Sequence, residues 1–330
     1  MKALCVLNPA AAGGLALERW PNVASLMEGM GIECELLADP AVPVGRQLVA
    51  YLGTHGCAGI GAVAGVGGDG THSDLLNSLM RYRAANPEES LPPYAFIPLG
   101  TGNDIAKSFG LDSREDFFVN DLRRAVGTIA HGADYRLDLG VLNGVFFADA
   151  MTIGLDSRIL HARNERVRRF ARIPLLRPFS RGKFLYTLSA GLLLGHHEAL
   201  NATITVDRLK WYEGPFLNLV INNTRIYAGV FDFCTDAYAD DGLLDVVLFT
   251  GQKDYLTKYL MAMRHNPDRI REFSARLSSL ASHIQGRSIQ IRLSRPEAAQ
   301  LDGEEIPASD TFDITVVSRA IQIKTPAEPA

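Results

Sequence analysis

The sequence predicts an α/β protein joined to a mainly β one: a parallel, doubly wound first domain, then an antiparallel β-sandwich domain interrupted by helices. Three observations carry this expectation. Up to about residue 130 short apolar runs alternate with helical stretches, several of those runs end in turns of glycine or small residues, and beyond it β-rich runs follow one another with Gly, Asn, Asp and Pro between them. Alternation of strand and helix gives parallel pairing with helices on the sheet faces, whereas strands in succession pair antiparallel. A chain of 330 residues with 47% hydrophobic side chains has the length for two domains and the apolar material for their cores.

Element by element, "KALCVLNP" reads as a strand ending in a turn, "LERWPNVASLMEGMG" as a helix closed by glycine, "IECELLA" as a strand and "VGRQLVAYLGTHG" as a helix. "GIGAVAGVGGDGT" is a buried strand entering a glycine loop, "HSDLLNSLMRYRAA" a helix, and "YAFIPLGTGND" a strand ending in a second glycine loop. The runs "NATITVD", "PFLNLVINN", "LLDVVLFT", "SIQIRLS", "TFDITVVS" and "AIQIKTP" supply the β-rich part, with helical insertions at about 157–196 and 253–282. The expected domains are 1–130 and 131–317, with the segment from about 318 to 330 returning to the first. Ligands of open parallel sheets bind beyond the carboxyl ends of the strands, so the turns after Leu7, Val66 and Leu99 are expected to converge on one crevice.

A formal charge of −4 offers no global footprint for nucleic acid, and none is expected as a partner. Cys5, Cys34, Cys57 and Cys234 are scattered without a C-x-x-C pair, which argues against a disulfide framework and a cysteine zinc site and for a reducing compartment. The longest apolar stretches, such as "FLYTLSAGLLLG", fall short of a membrane span, so any membrane contact is expected from the side.

Three small-residue loops carry the chemistry. In "GGDGT", Gly67 to Thr71, successive glycine N–H groups and the following helix N-terminus suit a phosphate, and Asp69 suits a phosphate-bound Mg²⁺ rather than the anion. By itself the pentapeptide is equally a glycine turn with Thr71 or Ser73 capping the next helix. "LGTGND", Leu99 to Asp104, offers Thr101 and Asn103 as hydrogen-bonding side chains, and "NPAAAGG", Asn8 to Gly14, is a third place where a ligand can approach backbone. Helix capping alone accounts poorly for three such loops at three strand ends.

With "NPAAAGG", "GGDGT", "PLGTGNDIA", "GLDS", "YADDGLLDVVLF" and "LDGE" in this order, nearly the whole chain resembles the diacylglycerol kinase catalytic domain family, in particular its soluble bacterial lipid kinases, relatives of sphingosine kinases and NAD kinases. "GGDGT" is shared with nicotinamide dinucleotide kinases, but "PLGTGND" and "ADDGLLDV" point to the lipid branch, and no "TGSTAY"-like segment is present. The resemblance implies a Rossmann-like nucleotide-binding domain, a β-rich lipid-substrate and metal-binding domain, and ATP in the cleft between them. It implies nucleotide contacts at Asn8, Pro9, Gly13, Gly67, Gly68, Asp69, Gly70, Thr71, His72, Ser73, Thr101 and Asn103. It implies a structural Mg²⁺ held by Asp241 and by backbone oxygens at Tyr238 and Leu243, a sensible hard-cation set. It places the catalytic base in "LDGE", with Glu304 favoured as proton acceptor and Asp302 close behind, and with Asp69 toward the cation. Without the family, "LDGE" reads as a hairpin turn.

The chain departs from the family at Ser73-Asp74, where Asn-Glu is usual, and at Ala228-Gly229, where a double glycine is usual; no nucleotide contact is assigned around Ala38-Asp39. Arg158 to Lys183 holds nine Lys or Arg and one acid, with Leu160, Val167, Phe170 and Ala171 at helical spacing. By itself it reads as a solvated helix; in a lipid kinase it reads as a face for anionic membrane. His196-His197 reads as a cap or surface pair, and His72 as a phosphate-loop residue open to general acid work. The expected protein is a cytoplasmic, peripherally membrane-associated kinase using ATP and Mg²⁺ on a lipid hydroxyl, diacylglycerol or a related glycerolipid first, a sphingoid or ceramide-type lipid second. A non-catalytic lipid- or nucleotide-binding protein of the same fold is the reading from another class, and a homodimer is compatible with any of these.

Overall fold

The structure, a computed structural model, describes residues 1–111, 118–171, 193, 200–228, 231–234, 237–262 and 283–327. Its first part runs β1 (Lys2–Leu7), α1 (Leu15–Gly29), β2 (Glu33–Leu37), α2 (Val44–His55), β3 (Ala62–Gly67), α3 (Asp69–Ala85), β4 (Tyr94–Pro98), α4 (Asp104–Ser108) and α5 (Phe118–His131). The strands pair parallel in the order β2-β1-β3-β4. Strands β3 and β4 are buried along their whole length and β1 in all but its first residue, which is why they read as unbroken apolar runs. Their side chains and those of the covering helices form one core, with Leu4, Val63, Phe96, Leu79 and Val126 at its centre.

The second part comprises β5 (Ala133–Leu142), β6 (Val145–Phe147), β7 (Ala150–Gly154), α6 (Leu155–Ala171), β8 (Leu200–Val206), β9 (Leu209–Phe216), β10 (Asn218–Asn222), β11 (Ile226–Tyr227), β12 (Phe231–Asp232), β13 (Leu244–Phe249), α7 (Gln252–Met261), β14 (His283–Gly286), β15 (Ser288–Leu301) and β16 (Glu304–Thr325). Its strands pair antiparallel with one another. β15 turns a corner: Ile289–Leu293 pairs with β8, Ala299–Leu301 pairs with β7, and the ladder is irregular on both sides of Glu297. A bulged strand bends, and here the bend wraps strands around a second core containing Ile153, Ile204, Leu219, Val246, Ile291 and Ile314.

The two parts share one 14-stranded ladder. The runs "TFDITVVS" and "AIQIKTP" belong to a single strand of 22 residues, β16, which pairs antiparallel with β5 and ends with Ile323 and Lys324 parallel to Tyr94 and Ala95 of β4. Arg319, at φ +51°, marks the irregularity between the two runs that makes them read as separate strands. Among the described residues no helix is long and apolar enough to cross a membrane.

Candidate active site

Asn8 follows β1, Gly68 follows β3 and Gly100 lies just beyond β4, and these strand ends open on a cavity of about 600 Å³. Its wall includes Asn8, Gly68, Gly70, Thr71, Thr101 and Glu304. The floor has no room for side chains: a Cβ on Gly100 would lie 2.1 Å from the Gly68 Cα, and backbone cannot yield as a flexible side chain can. Asn8 fixes its own loop to the next one, accepting the Ala10 N–H through Oδ1 at 3.1 Å and donating through Nδ2 to Thr71 Oγ1 at 3.0 Å.

The helix after the glycine pair begins within the motif, at Asp69, rather than at His72. Gly68 is extended, and its carbonyl accepts the N–H groups of Thr71 and His72 at 2.9 and 3.0 Å. The glycines that lower helix propensity conceal this start in the sequence. The start places Gly70 and Thr71 of the first helical turn on the cavity wall, where helix N–H groups favour an anion.

Behind the wall lies a group of carboxylates. Asp69 is pushed up in pKa by burial, opposed by the N–H groups of Ile105, Asn103 and Asp104 at the start of α4. Asp149 is held well above the usual carboxylate range by burial and then by Asp104 and Asp302, with the Thr224 hydroxyl opposing and Asp69 adding to the rise. Asp302 is pushed up to about 6 by burial, although its oxygens accept the N–H groups of Ala148, Asp149 and Ala150 at 2.8, 2.8 and 3.1 Å. Lys107, 3.8 Å from Asp104, stands against this negative group. Clustered oxygen donors that resist ionisation in the absence of a counter-charge are chemically suited to a hard cation such as Mg²⁺.

Asp302 and Gly303, both at positive φ, form the two-residue turn between Leu301 and Glu304, the hairpin favoured by an Asp-Gly pair. "LDGE" is therefore a hairpin turn and a part of the site at once. Within it the two acids differ: Asp302 points its oxygens into backbone N–H groups, whereas Glu304 is exposed and faces the cavity. Loss of water on the side of the carboxyl that faces the protein, and then the neighbouring Glu305, raise the Glu304 pKa above its ordinary value.

Of the expected nucleotide residues, Asn8, Pro9, Gly68, Gly70, Thr71 and Thr101 lie on the cavity, while Gly13 is in the left-handed turn after its Ala10–Ala12 wall and Gly67 is inside β3. Ser73 lies one turn into α3, where its carbonyl accepts Asn77 Nδ2 at 2.9 Å. Two expectations need correction. The His72 ring is fully buried, its Nδ1 2.7 Å from Tyr94 Oη and its edge against Phe96, and burial pushes its pKa down to about 3. The ring is a buried core group whose partners are Tyr94 and Phe96, and it does not line the cavity. Asn103, also buried, folds back on its own loop, its Oδ1 accepting the Gly100 N–H at 2.9 Å and its Nδ2 donating to the Gly100 carbonyl at 3.1 Å. It shapes the second glycine loop from within.

The sequence reading assigns no contact to the wall from Asp39 to Val44 and no site role to the acids Asp74, Asp104 and Asp149. "ADP" follows a strand end like the other loops, which was a usable signal. Asp74 Oδ2 accepts the Gly45 N–H at 2.9 Å, so the acid of the altered Ser-Asp pair ties α3 to the start of α2. In the second part, Asp241 Oδ1 accepts the Leu243 N–H at 2.8 Å, and Tyr238 is 63% exposed. Asp241 is raised by burial, opposed by the Leu243 N–H, and raised further by Asp245, Asp138 and Asp240. The "GLDS" segment starts α6: Gly154 has φ +105°, and buried Asp156 accepts the hydroxyls of Tyr227, Tyr255 and Tyr259 and the Asn218 amide.

The basic stretch is helical through Ala171; 172–183 lies outside the described residues, as do His196, His197 and Gly229. Arg158 pairs with Glu297, Arg169 with Glu165 and Arg168 with Glu305, the last at 3.4 Å. Two of these three pairs bind the helix to the hairpin that carries Glu304.

Residues 2–141 match the diacylglycerol kinase catalytic domain model. The chain is 25% identical to a protein named "Probable lipid kinase YegS-like" from Stenotrophomonas maltophilia (strain K279a), over 98% of this chain and 95% of that protein. It is 26% identical to a diacylglycerol kinase of Mycobacterium tuberculosis (strain ATCC 25618 / H37Rv), over 78% of this chain and 76% of that protein. Its fold is similar to the crystal structure of a diacylglycerol kinase from Bacillus anthracis str. Sterne, with a TM-score of 0.67 at 21% identity over 98% of this chain and 96% of that one. Residues 2–141 are thus similar to the diacylglycerol kinase catalytic domain, and nearly the whole chain is similar to proteins named lipid kinase.

Proposed function

We propose that this protein is a lipid kinase that transfers the γ-phosphate of ATP to a lipid hydroxyl with the help of Mg²⁺, and that diacylglycerol or a related glycerolipid is the acceptor. The observation that carries the reading is the position of Glu304, on the same cavity wall as the glycine floor and the first turn of α3. Phosphoryl transfer to an alcohol needs an anion cradle and a group that takes or orients the hydroxyl proton. Here the N–H groups of the glycine loops serve the phosphates, Asn8 and Thr71 hold two loops together, and Glu304 receives the proton from the acceptor oxygen. Asp302 positions the hairpin that presents Glu304.

Bound Mg²⁺ would neutralise charge on the transferring phosphoryl group; Asp69 and Asp149 would hold it, while Asp241, with carbonyls at Tyr238 and Leu243, would hold a structural ion. The lipid reading takes its support from the names of the relatives, which cover nearly all of this chain in one case. Access to a bilayer from the cytoplasmic side would fall to α6 and the basic stretch continuing from it.

The test is incorporation of label from γ-labelled ATP into mixed micelles of a total lipid extract with Mg²⁺, with synthetic diacylglycerol and sphingosine as separate acceptors. Labelled phosphatidic acid is expected from the diacylglycerol arm. Absence of any labelled lipid from a folded protein overturns the kinase reading.

A further inference from the structure

We propose that Cys234, Asp245 and His283 form a binding site for a divalent transition-metal ion of the zinc class, outside the cavity lining. One ligand atom from each residue lies within 4.8 Å of the other two. The sheet builds this set from strands that sequence alone does not bring together. Asn222 of β10 lies directly across from Asp245 of β13, and on the other side Asp245 and Val247 lie across from Gln285 and His283 of β14. Directly paired and alternate residues share a sheet face, so Asn222, Asp245 and His283 form a row across three strands. Cys234, just after β12, closes the row: its Sγ is 3.8 Å from Asn222 Nδ2.

The surroundings ask for a cation. Cys234 and Asp245 are 2% and 3% exposed, and His283 Nε2 is 2.6 Å from Asp245 Oδ1, a separation at which the two atoms share a proton. A metal ion replacing that proton would bind imidazole nitrogen, carboxylate oxygen and thiolate sulfur, moving the donors toward the separations of roughly 3.3–3.7 Å of a filled tetrahedral site. The imidazole proton displaced from Nε2 is regained at Nδ1 through solvent, the thiol proton leaves for solvent, and thiolate plus carboxylate balance the two positive charges, so the buried site becomes neutral. Asn222 is the second observation. Its Oδ1 is buried and has no hydrogen-bond partner among the described residues, although the same amide meets the thiol. A half-turn of the amide puts that oxygen on the site as a fourth ligand, and the two orientations are nearly indistinguishable in shape. Sulfur and imidazole donors in a small site select Zn²⁺ or Co²⁺ over Mg²⁺ and Ca²⁺. The ion would clip the segment at Cys234 to β10, β13 and β14. The widely spaced cysteines exclude a C-x-x-C site but not this mixed set.

Chelator-treated full-length protein titrated with Co²⁺ tests the proposal. One equivalent is expected to produce near-ultraviolet thiolate charge transfer and the visible bands of a tetrahedral ion, displaced by Zn²⁺ and not by Mg²⁺. Cys234→Ser removes the charge-transfer band; His283→Gln, a change near the exposed end of the site, weakens Co²⁺ binding at least ~10-fold while far-ultraviolet circular dichroism stays unchanged. Cys34→Ser, at the other thiol-rich position beside Cys5, leaves the spectrum as it was. Absence of the band in folded parent protein overturns the site, as does a band that survives Cys234→Ser or Co²⁺ binding of parental strength in His283→Gln. Should Cys234→Ser not fold, the His283→Gln comparison decides.

Discussion

Glu304 stands so close over Gly70 that a Cβ added to the glycine would lie 2.7 Å from Glu304 Oε1. The proposed base and the first turn of the proposed phosphate cradle are thus in contact, although 234 residues separate them in the chain, from position 70 to position 304. Glu304→Gln keeps the shape and removes the proton acceptor, and is expected to lower kcat about 10²- to 10⁴-fold with little change in the KM for ATP. Gly70→Ala is expected to displace the carboxylate and lower kcat by a smaller factor, ~10-fold. Steady-state kinetics on lipid micelles measure both, and parental kcat in Glu304→Gln removes this residue from the mechanism.

Asp74 predicts a split between stability and nucleotide affinity. Its bond to the Gly45 N–H secures the start of α2, next to the Asp39–Val44 wall of the cavity. Asp74→Ala is expected to cost about 1 kcal/mol, as loss of a helix-start acceptor does, and to raise the KM for ATP more than it lowers kcat. Asp74→Glu finds no room, since a Cβ on Gly45 would already lie 2.6 Å from Asp74 Oδ1, and it is expected to destabilise as well. Thermal denaturation beside ATP titration checks the pair; unchanged Tm in Asp74→Ala contradicts the assignment.

His72 predicts an acid limit. Its pKa falls from 6.5 to about 3 on folding because the buried ring resists charge. The unfolded chain therefore binds the extra proton between these values, and the stability from this group, present above pH 6.5, is lost as pH falls toward 3, by roughly 4–5 kcal/mol in total. His72→Gln is expected to be less stable than the parent at pH 7 and to lose less on acidification. Urea midpoints at pH 7, 6 and 5 follow the difference, and parallel pH curves for the two proteins would count against it.

Asp302 acts in the opposite direction. Its pKa rises from 3.8 to about 6 on folding, so its contribution is complete below about pH 4 and is lost as pH rises through 6, by about 3 kcal/mol. Mg²⁺ bound among the neighbouring acids favours their ionised forms. Added Mg²⁺ is therefore expected to raise Tm more at pH 7.5 than at pH 5, and Asp149→Asn to diminish that gain. Differential scanning calorimetry with and without Mg²⁺ measures it; a gain that does not depend on pH contradicts the link to these carboxylates.

The parts of the site that are local in sequence were legible in it. The three strand-end loops and the Asp-Gly hairpin each announce themselves through residues whose backbone preferences are strong. What escaped depends on rotation and distance. Which way His72 faces is set by where α3 begins, a boundary that glycines hide. Asn103 looks like a ligand until the turn at φ +58° aims it at Gly100. Asp149 enters the acid group from the second part of the chain, and no spacing rule foretells that its charge acts together with that of Asp69. The arginines of α6 form a charged helix in sequence, but Glu297 and Glu305, far along the chain, claim two of them.

The last strand also sets a timetable. Chains are made from the N-terminus at about 5–20 residues per second, so roughly 10–45 s separate the synthesis of Pro98 from that of Thr325. Until then the β4 edge that Ile323 and Lys324 will occupy lacks its partner. The nascent first half carries an apolar, unpaired strand edge of the kind that invites aggregation, and the hairpin holding Glu304 arrives on the same late segment that covers it. Completion of the sheet and arrival of the proposed base are one event in the life of the chain.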